Sequence, residues 1–164
     1  MSEPVRVGLI GSQFISGIHA RALQQCPRAE TIAVCSPTPG HADNFAKQYQ
    51  IPRHFTDYRQ LLEMDDLDLV VIGAPNHLHC AMTCDAAAAG KHVVVEKPMC
   101  LTVEEGRRMV EVARKNDRIT QVGTQQRSIP LNNWASDLVK DGAIGKVTEV
   151  LAPNFVGPGY WEPK

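Results

Sequence analysis

Two charged residues close the run His92-Val93-Val94-Val95-Glu96-Lys97-Pro98. Three consecutive β-branched residues between Gly90 and Pro98 read as a short strand buried on both faces. In an open parallel α/β sheet, ligands bind beyond the carboxyl ends of the strands, so Glu96 and Lys97 stand where chemistry is usually done. The plain alternative is an exposed, salt-bridged strand end. A second apolar run, Leu67 to Ile72, ends in Gly73-Ala74-Pro75-Asn76-His77-Leu78-His79, which places Asn76, His77 and His79 at another strand's carboxyl end. For each histidine the alternative is the solvated first turn of a helix.

The elements that must hold these residues begin with Arg6 to Ile10, a short apolar run followed by Gly11, Ser12 and Gln13. Ile15, Ile18, Ala22, Leu23 and Cys26 then recur at helical spacing. Strand, tight turn and helix form the opening of a dinucleotide-binding unit, whose fingerprint is G-x-G-x-x-G. Here it reads Gly11-Ser12-Gln13-Phe14-Ile15-Ser16. The turn glycine is present. Gln13 replaces the glycine that lets the backbone approach a pyrophosphate, so its side chain adds bulk or points into the site. Ser16, at the third position, is small enough for close packing of helix on sheet. The next strand, Thr31 to Cys35, ends at Ser36, where an Asp or Glu would bond the ribose hydroxyls of NAD. No Arg or Lys follows closely to favour the 2′-phosphate of NADP, only Thr38 and His41, so NAD and NADP both stay open.

Further on, Ala42, Phe45, Ala46 and Tyr49 form an apolar helical stripe, and Ile51 to Phe55 a connecting strand. Thr56 or Asp57 caps a helix carrying Tyr58, Leu61 and Leu62. The helix after His79 runs to Ala89 and stops at Gly90. Thr102-Val103-Glu104-Glu105 is a capping box for a helix through Asn116, with Val103, Gly106, Val110 and Ala113 on one face. Ile119 to Val122 is a sixth strand. A further helix places Leu131, Trp134, Ala135, Leu138 and Val139 inward, and a strand follows from Lys146 to Leu151. The alternation predicts an α/β fold with a doubly wound parallel sheet. The tail from Asn154 to Lys164 interleaves prolines and glycines with Tyr160 and Trp161, and reads as a segment that expects a partner surface.

With 164 residues, the chain accommodates one domain, or one and the start of another. A composition of 43% hydrophobic and 21% charged residues is that of a soluble globular protein able to bury a core. A net charge of -1 gives no electrostatic case for nucleic acid or anionic membrane, so the partner is expected to be a small molecule. Cysteines at 26, 35, 80, 84 and 100 include no C-x-x-C pair, which favours reduced thiols in a cytoplasmic protein. Cys80 and Cys84, with His77 and His79 nearby, invite a metal reading. No second ligand cluster supports it, and no metal is expected. The N-terminus lacks a basic stretch, and Gly8 and Gly11 interrupt the apolar run after it, so neither a signal peptide nor a membrane span is expected.

Taken together, Val7-Gly8-Leu9-Ile10-Gly11 with His19, Pro75-Asn76-His77-Leu78-His79, Ala89-Gly90-Lys91-His92, Glu96-Lys97-Pro98 and Val122-Gly123-Thr124-Gln125-Gln126-Arg127 occur in a familiar order and spacing. From Arg6 to about Leu151 the chain resembles the Gfo/Idh/MocA oxidoreductases, the group of glucose-fructose oxidoreductase and inositol dehydrogenase. The resemblance implies a Rossmann-type domain over residues 1–124. Residues 125–164 would then be the connecting helix and first strand of a substrate-binding and dimerisation domain, most of which lies outside this sequence. It also implies NAD or NADP as cofactor, a sugar or cyclitol as substrate and a homo-oligomer when full length.

By the same resemblance, cofactor contacts fall to Gly11, Ser12, Gln13, Phe14 and Ile15 at the first turn, to Ser36, and to Pro75, Asn76 and His79. Glu96, Lys97, Gln125 and Arg127 complete the set. Lys97 is similar to the lysine that contacts substrate hydroxyl and nicotinamide, where an ammonium stabilises developing alkoxide charge. The Lys97-Pro98 peptide is expected to be cis. The implied activity is hydride transfer to or from a hydroxyl-bearing carbon, with the 164 residues alone expected to be inactive. Two alternatives accompany it, an NAD-dependent glycosidase of the same superfamily and a non-catalytic nucleotide-binding domain.

Overall fold

The computed structural model describes residues 3–151, which divide into two compact units on either side of the Thr124–Gln125 boundary. The tail from Asn154 to Lys164 lies outside the described residues. In the first unit the strands β1 (Val5–Ile10), β2 (Ala29–Cys35), β3 (Arg53–Phe55), β4 (Leu69–Ile72), β5 (His92–Glu96) and β6 (Thr120–Gly123) form one sheet in the order β3-β2-β1-β4-β5-β6. Every pair is parallel. This is the Rossmann-type doubly wound order. The chain winds outward from β1 to β3, then crosses back to β4, so the strand order reverses between β1 and β4.

Helices cover both faces because the central strands are apolar on both sides. On one face, α1 (Phe14–Gln24) and α2 (His41–Tyr49) pack Ala20, Phe45 and Ala46 against Val7, Leu9, Val34 and Val71. On the other, α3 (Tyr58–Leu62), α4 (His79–Ala88) and α5 (Val103–Lys115) bring Leu61, Cys84 and Met109 against Ile10, Val70, Ile72, Val93 and Val95. Local chemistry sets the helix ends. Asp57 caps α3 by accepting from the Arg59 N–H at 2.9 Å. Thr102 accepts from the Glu105 N–H at 3.2 Å, while the Glu105 carboxylate reaches back to the Leu101 N–H at 2.7 Å. Past α4, Gly90 takes a left-handed φ of 78°, which turns the chain into β5.

Three expectations about apolar stripes and strands do not hold. In α5 the inward residues are Met109 and Ala113, whereas Val103 and Val110 are exposed. Only one of the helix's two apolar stripes has a sheet beneath it. The second unit contains α6 (Pro130–Lys140), in which no residue is buried and Leu131, Trp134 and Val139 are exposed. Residues 146–151 form no strand. An isolated strand has no ladder to satisfy its backbone, and the described residues of this unit include no other strand.

Among the described residues, no helix is long and apolar enough to cross a membrane. Cys35, Cys80 and Cys84 are buried. Burial pushes the Cys35 thiol up to about 12 and the Cys80 thiol up to about 11. Both stay protonated at neutral pH, which suits core packing rather than nucleophilic attack.

Candidate functional site

Register aligns the strand ends that matter. Ile10 pairs with Cys35 and with Ile72, Ile72 with Val95, and Val95 with Val122. One residue further along, Ser36, Gly11, Gly73, Glu96 and Gly123 therefore form a row across the carboxyl rim of the sheet. The row spans the point where strand order reverses.

At its centre the rim is shaped by missing side chains. Gly11 has φ 118°, and a Cβ there would lie 2.5 Å from the Gly73 carbonyl oxygen and 2.9 Å from the Ser16 Oγ. A Cβ on Gly73 would come within 2.9 Å of the same hydroxyl. Only glycine fits this close approach of β1 and β4, which is tied by the Gly73 N–H donating to the Ile10 carbonyl at 2.8 Å. Ser16 is 2% exposed and fills the angle between helix and sheet, as its small size predicts.

Beyond the turn, the N-terminus of α1 faces outward with its donors unclaimed by side chains. Its N-cap, Gln13, makes no side-chain cap, and no acidic residue sits in the first turn. The Ser12 hydroxyl is buried without a partner among the described residues. Uncapped N–H groups, a positive dipole end and an orphaned hydroxyl beside a glycine turn fit a pyrophosphate. Gln13 is drawn aside, its Nε2 3.2 Å from the His41 Nδ1 at the start of α2. Phe14 is exposed, Ile15 lies beside Gly73, and Ser36 is only 4% exposed, with its N–H donating to the Phe55 carbonyl at 3.1 Å.

Side chains, by contrast, build the β4 and β5 ends. Pro75 and Asn76 are exposed in a short 3-10 turn, Asn76–Leu78. His79 is 1% exposed, with Nε2 2.8 Å from the Ala74 carbonyl and Nδ1 2.8 Å from the Pro98 carbonyl. Both ring nitrogens are thus engaged with backbone, and His79 braces the loop after β4 against the loop after β5. The Lys97-Pro98 peptide is cis. Glu96 is 8% exposed. Its Oε1 accepts from the His19 Nε2 at 2.8 Å, and its Oε2 from the Lys97 backbone N–H at 3.2 Å. Lys97 itself is exposed, and among the described residues its ammonium makes neither a hydrogen bond nor an ion pair.

Gln125 and Arg127 lie in a 3-10 turn, Gln125–Ser128, that opens the second unit, and both are exposed. Sequence reasoning missed Gly73, although its place after Ile72 copies that of Gly11 after Ile10. It also missed the seats that His19 and Gly123 provide for Glu96. An apolar hollow of about 510 Å³, lined by Val5, Val7, Leu23, Leu69, Val71 and Val94 among others, lies on the sheet face beside α1. His19 and Arg28 also line it, but its walls are mostly aliphatic.

Residues 5–124 match the family model GFO_IDH_MocA, described as an oxidoreductase family with an NAD-binding Rossmann fold. Levoglucosan dehydrogenase of Pseudarthrobacter phenanthrenivorans is 30% identical over 153 residues, covering 88% of this chain and 39% of the relative. Scyllo-inositol 2-dehydrogenase (NAD(+)) of Bacillus subtilis is 32% identical over 147 residues, covering 89% of this chain and 43% of the relative. Among solved structures, scyllo-inositol dehydrogenase from Lactobacillus casei with bound NAD(H) and scyllo-inositol superposes with a TM-score of 0.83 at 28% identity, covering 89% of this chain and 44% of that one. The chain spans about two-fifths of the length of the curated relatives it matches.

Proposed function

This chain belongs to the Gfo/Idh/MocA oxidoreductase family with its NAD-binding Rossmann fold, and on that premise we propose that it is the nucleotide-binding part of a polyol dehydrogenase. The reaction is hydride exchange with a hydroxyl-bearing carbon of a sugar or cyclitol. Residues 1–124 form the cofactor domain, and residues from 125 onward begin the part that binds substrate. The observation that carries this reading is the aligned rim, in which Gly11 and Gly73 lie in one row with Glu96, the open N-terminus of α1 following Gly11 and Lys97 following Glu96.

When bound, NAD or NADP supplies the hydride donor or acceptor. The chain's own residues would bind the cofactor and orient the reacting groups, while the group that takes the hydroxyl proton is not among them. Gly11 and Gly73 clear the turn, while the first N–H groups of α1 and the Ser12 hydroxyl hold phosphate oxygens. Asn76 and Glu96 border the nicotinamide end. Lys97 presents an exposed ammonium beside them, where it orients the substrate hydroxyl and stabilises the negative charge that develops as the proton leaves.

Calorimetric titration of the chain with NADH and NADPH tests this reading. We expect saturable one-to-one binding of at least one of them. Lys97→Ala should change the affinity by less than about threefold, because an exposed cation adds little to a grip made by backbone donors. No binding of either nucleotide at millimolar concentration would contradict the proposal.

A further inference from the structure

The site proposed above contains an arrangement that concerns charge rather than contact. Glu96 and Lys97 are adjacent, and a carboxylate beside an ammonium ordinarily neutralises it. Here it does not. Each Glu96 oxygen already accepts a hydrogen bond, one from the His19 Nε2–H and the other from the Lys97 backbone N–H. The Lys97 Nζ has no carboxylate within 4.0 Å among the described residues.

The seat that holds the carboxylate is built by three separate elements. His19 reaches it from α1, 77 residues away in sequence. Gly123, paired with Glu96 across β5 and β6, leaves the room: a Cβ there would stand 3.0 Å from Oε1, 3.3 Å from Cδ and 3.5 Å from Oε2. The backbone of Gly123 is not in the left-handed region. Conformational freedom is therefore not what requires a glycine there; space for the carboxylate is. A carboxylate only 8% exposed must be compensated, and His19 with the Lys97 N–H does this without drawing on the lysine's ammonium.

We infer that His19 and Gly123 are positioning residues that keep Glu96 folded into the sheet rim, so that the Lys97 ammonium faces the cleft un-neutralised. The consequence rests on the functional reading above. A lysine paired with its own neighbour could not serve an incoming hydroxyl, whereas a lysine next to a sequestered carboxylate can. His19 touches neither cofactor nor substrate in this scheme; it acts through Glu96.

The test reads the charge state of Lys97 directly and needs neither cofactor nor turnover. The intact chain is labelled with trace acetic anhydride at a series of pH values, and the rate at Lys97 is followed by mass spectrometry. His19→Ala releases the carboxylate, which then pairs with the ammonium. At about 4 Å even a water-screened pair shifts the amine equilibrium roughly fivefold. We expect His19→Ala to label about fivefold more slowly at Lys97 than wild type, with other exposed lysines unchanged. Adding Glu96→Gln to His19→Ala should restore the wild-type rate, because the carboxylate charge is then gone. Gly123→Ala, whose Cβ would press on the carboxylate at 3.0 Å and loosen its seat, should slow labelling in the same direction, and it carries the test should the His19→Ala variant not fold. An unchanged Lys97 rate in the folded variants, or a slowdown that persists with Glu96→Gln, would overturn the inference. If the labelling pattern holds while the nucleotide titration fails, the functional reading falls and the charge arrangement stands.

Discussion

The ends of β1 and β5 lie on one rim and are made by opposite means. The β1 end is made of backbone: a glycine whose Cβ has no room, a second glycine beside it, and helix donors left open by a residue that does not cap them. The β5 end is made of side chains whose partners come from far along the chain, His19 for Glu96 and His79 for the Pro98 carbonyl. A turn built from backbone tolerates changes around it. Gln13 and Ser16 replace two fingerprint glycines without closing the turn, because one swings to His41 and the other is small enough to pack. A site built from side chains has no such latitude, since each group depends on one particular partner.

Substitutions can break this contrast. Gly11→Ala should have the largest effect. Its Cβ meets a backbone carbonyl at 2.5 Å in a left-handed conformation, so we expect a loss of about 3 kcal/mol or more in urea unfolding, together with loss of nucleotide binding. His79→Ala comes next, at about 2–4 kcal/mol, because it hollows the core and strands the inward-facing carbonyl to which the ring N–H donates. Unlike Gly11→Ala, it should leave the glycine turn intact, so nucleotide affinity measured on the folded fraction should fall much less. Thr102→Ala lies away from both ends and sharpens the comparison as a control, costing about 1 kcal/mol through the lost cap with no change in binding.

The smallest effect concerns pH. Hydrogen bonds from Arg6 hold the Asp68 carboxyl below its ordinary value. A depressed folded value means that the contribution is complete above about pH 4 and is lost as pH falls through that depressed value. Asp68→Asn should therefore flatten the acid limb of the stability curve. Both partners are more than a third exposed, and solvent screening keeps the change at neutral pH under about 1 kcal/mol.

The same contrast explains what could be read in the sequence. The β-branched runs of β4 and β5, the turn at Gly11 and the cap at Thr102 are local, and local pattern carried them, whereas the cis Lys97-Pro98 peptide was implied by the family resemblance. The partnership of His19 with Glu96 spans 77 residues and needs the sheet order before it exists. His79 looked like a ligand-facing residue at a helix start, but the cross-brace it makes depends on where the β5 loop comes to lie. Apolar stripes were visible at Val103 and Val110 in α5 and at Leu131 and Trp134 in α6, yet periodicity marks a face without saying what covers it. Lys146 to Leu151 read as a strand for the same reason, and a strand requires a neighbour that no local pattern supplies.

The central claim is that a nicotinamide nucleotide touches the chain at the Gly11 turn. Titrating NADH into the 15N-labelled chain and following the amide resonances should shift Gly11, Ser12, Phe14 and Ile15 first and most strongly, then Gly73 and Asn76, with Lys97 moving less and the amides of α5 unmoved. Unperturbed amides around Gly11 at millimolar NADH, or shifts confined to residues away from the carboxyl rim, would contradict it.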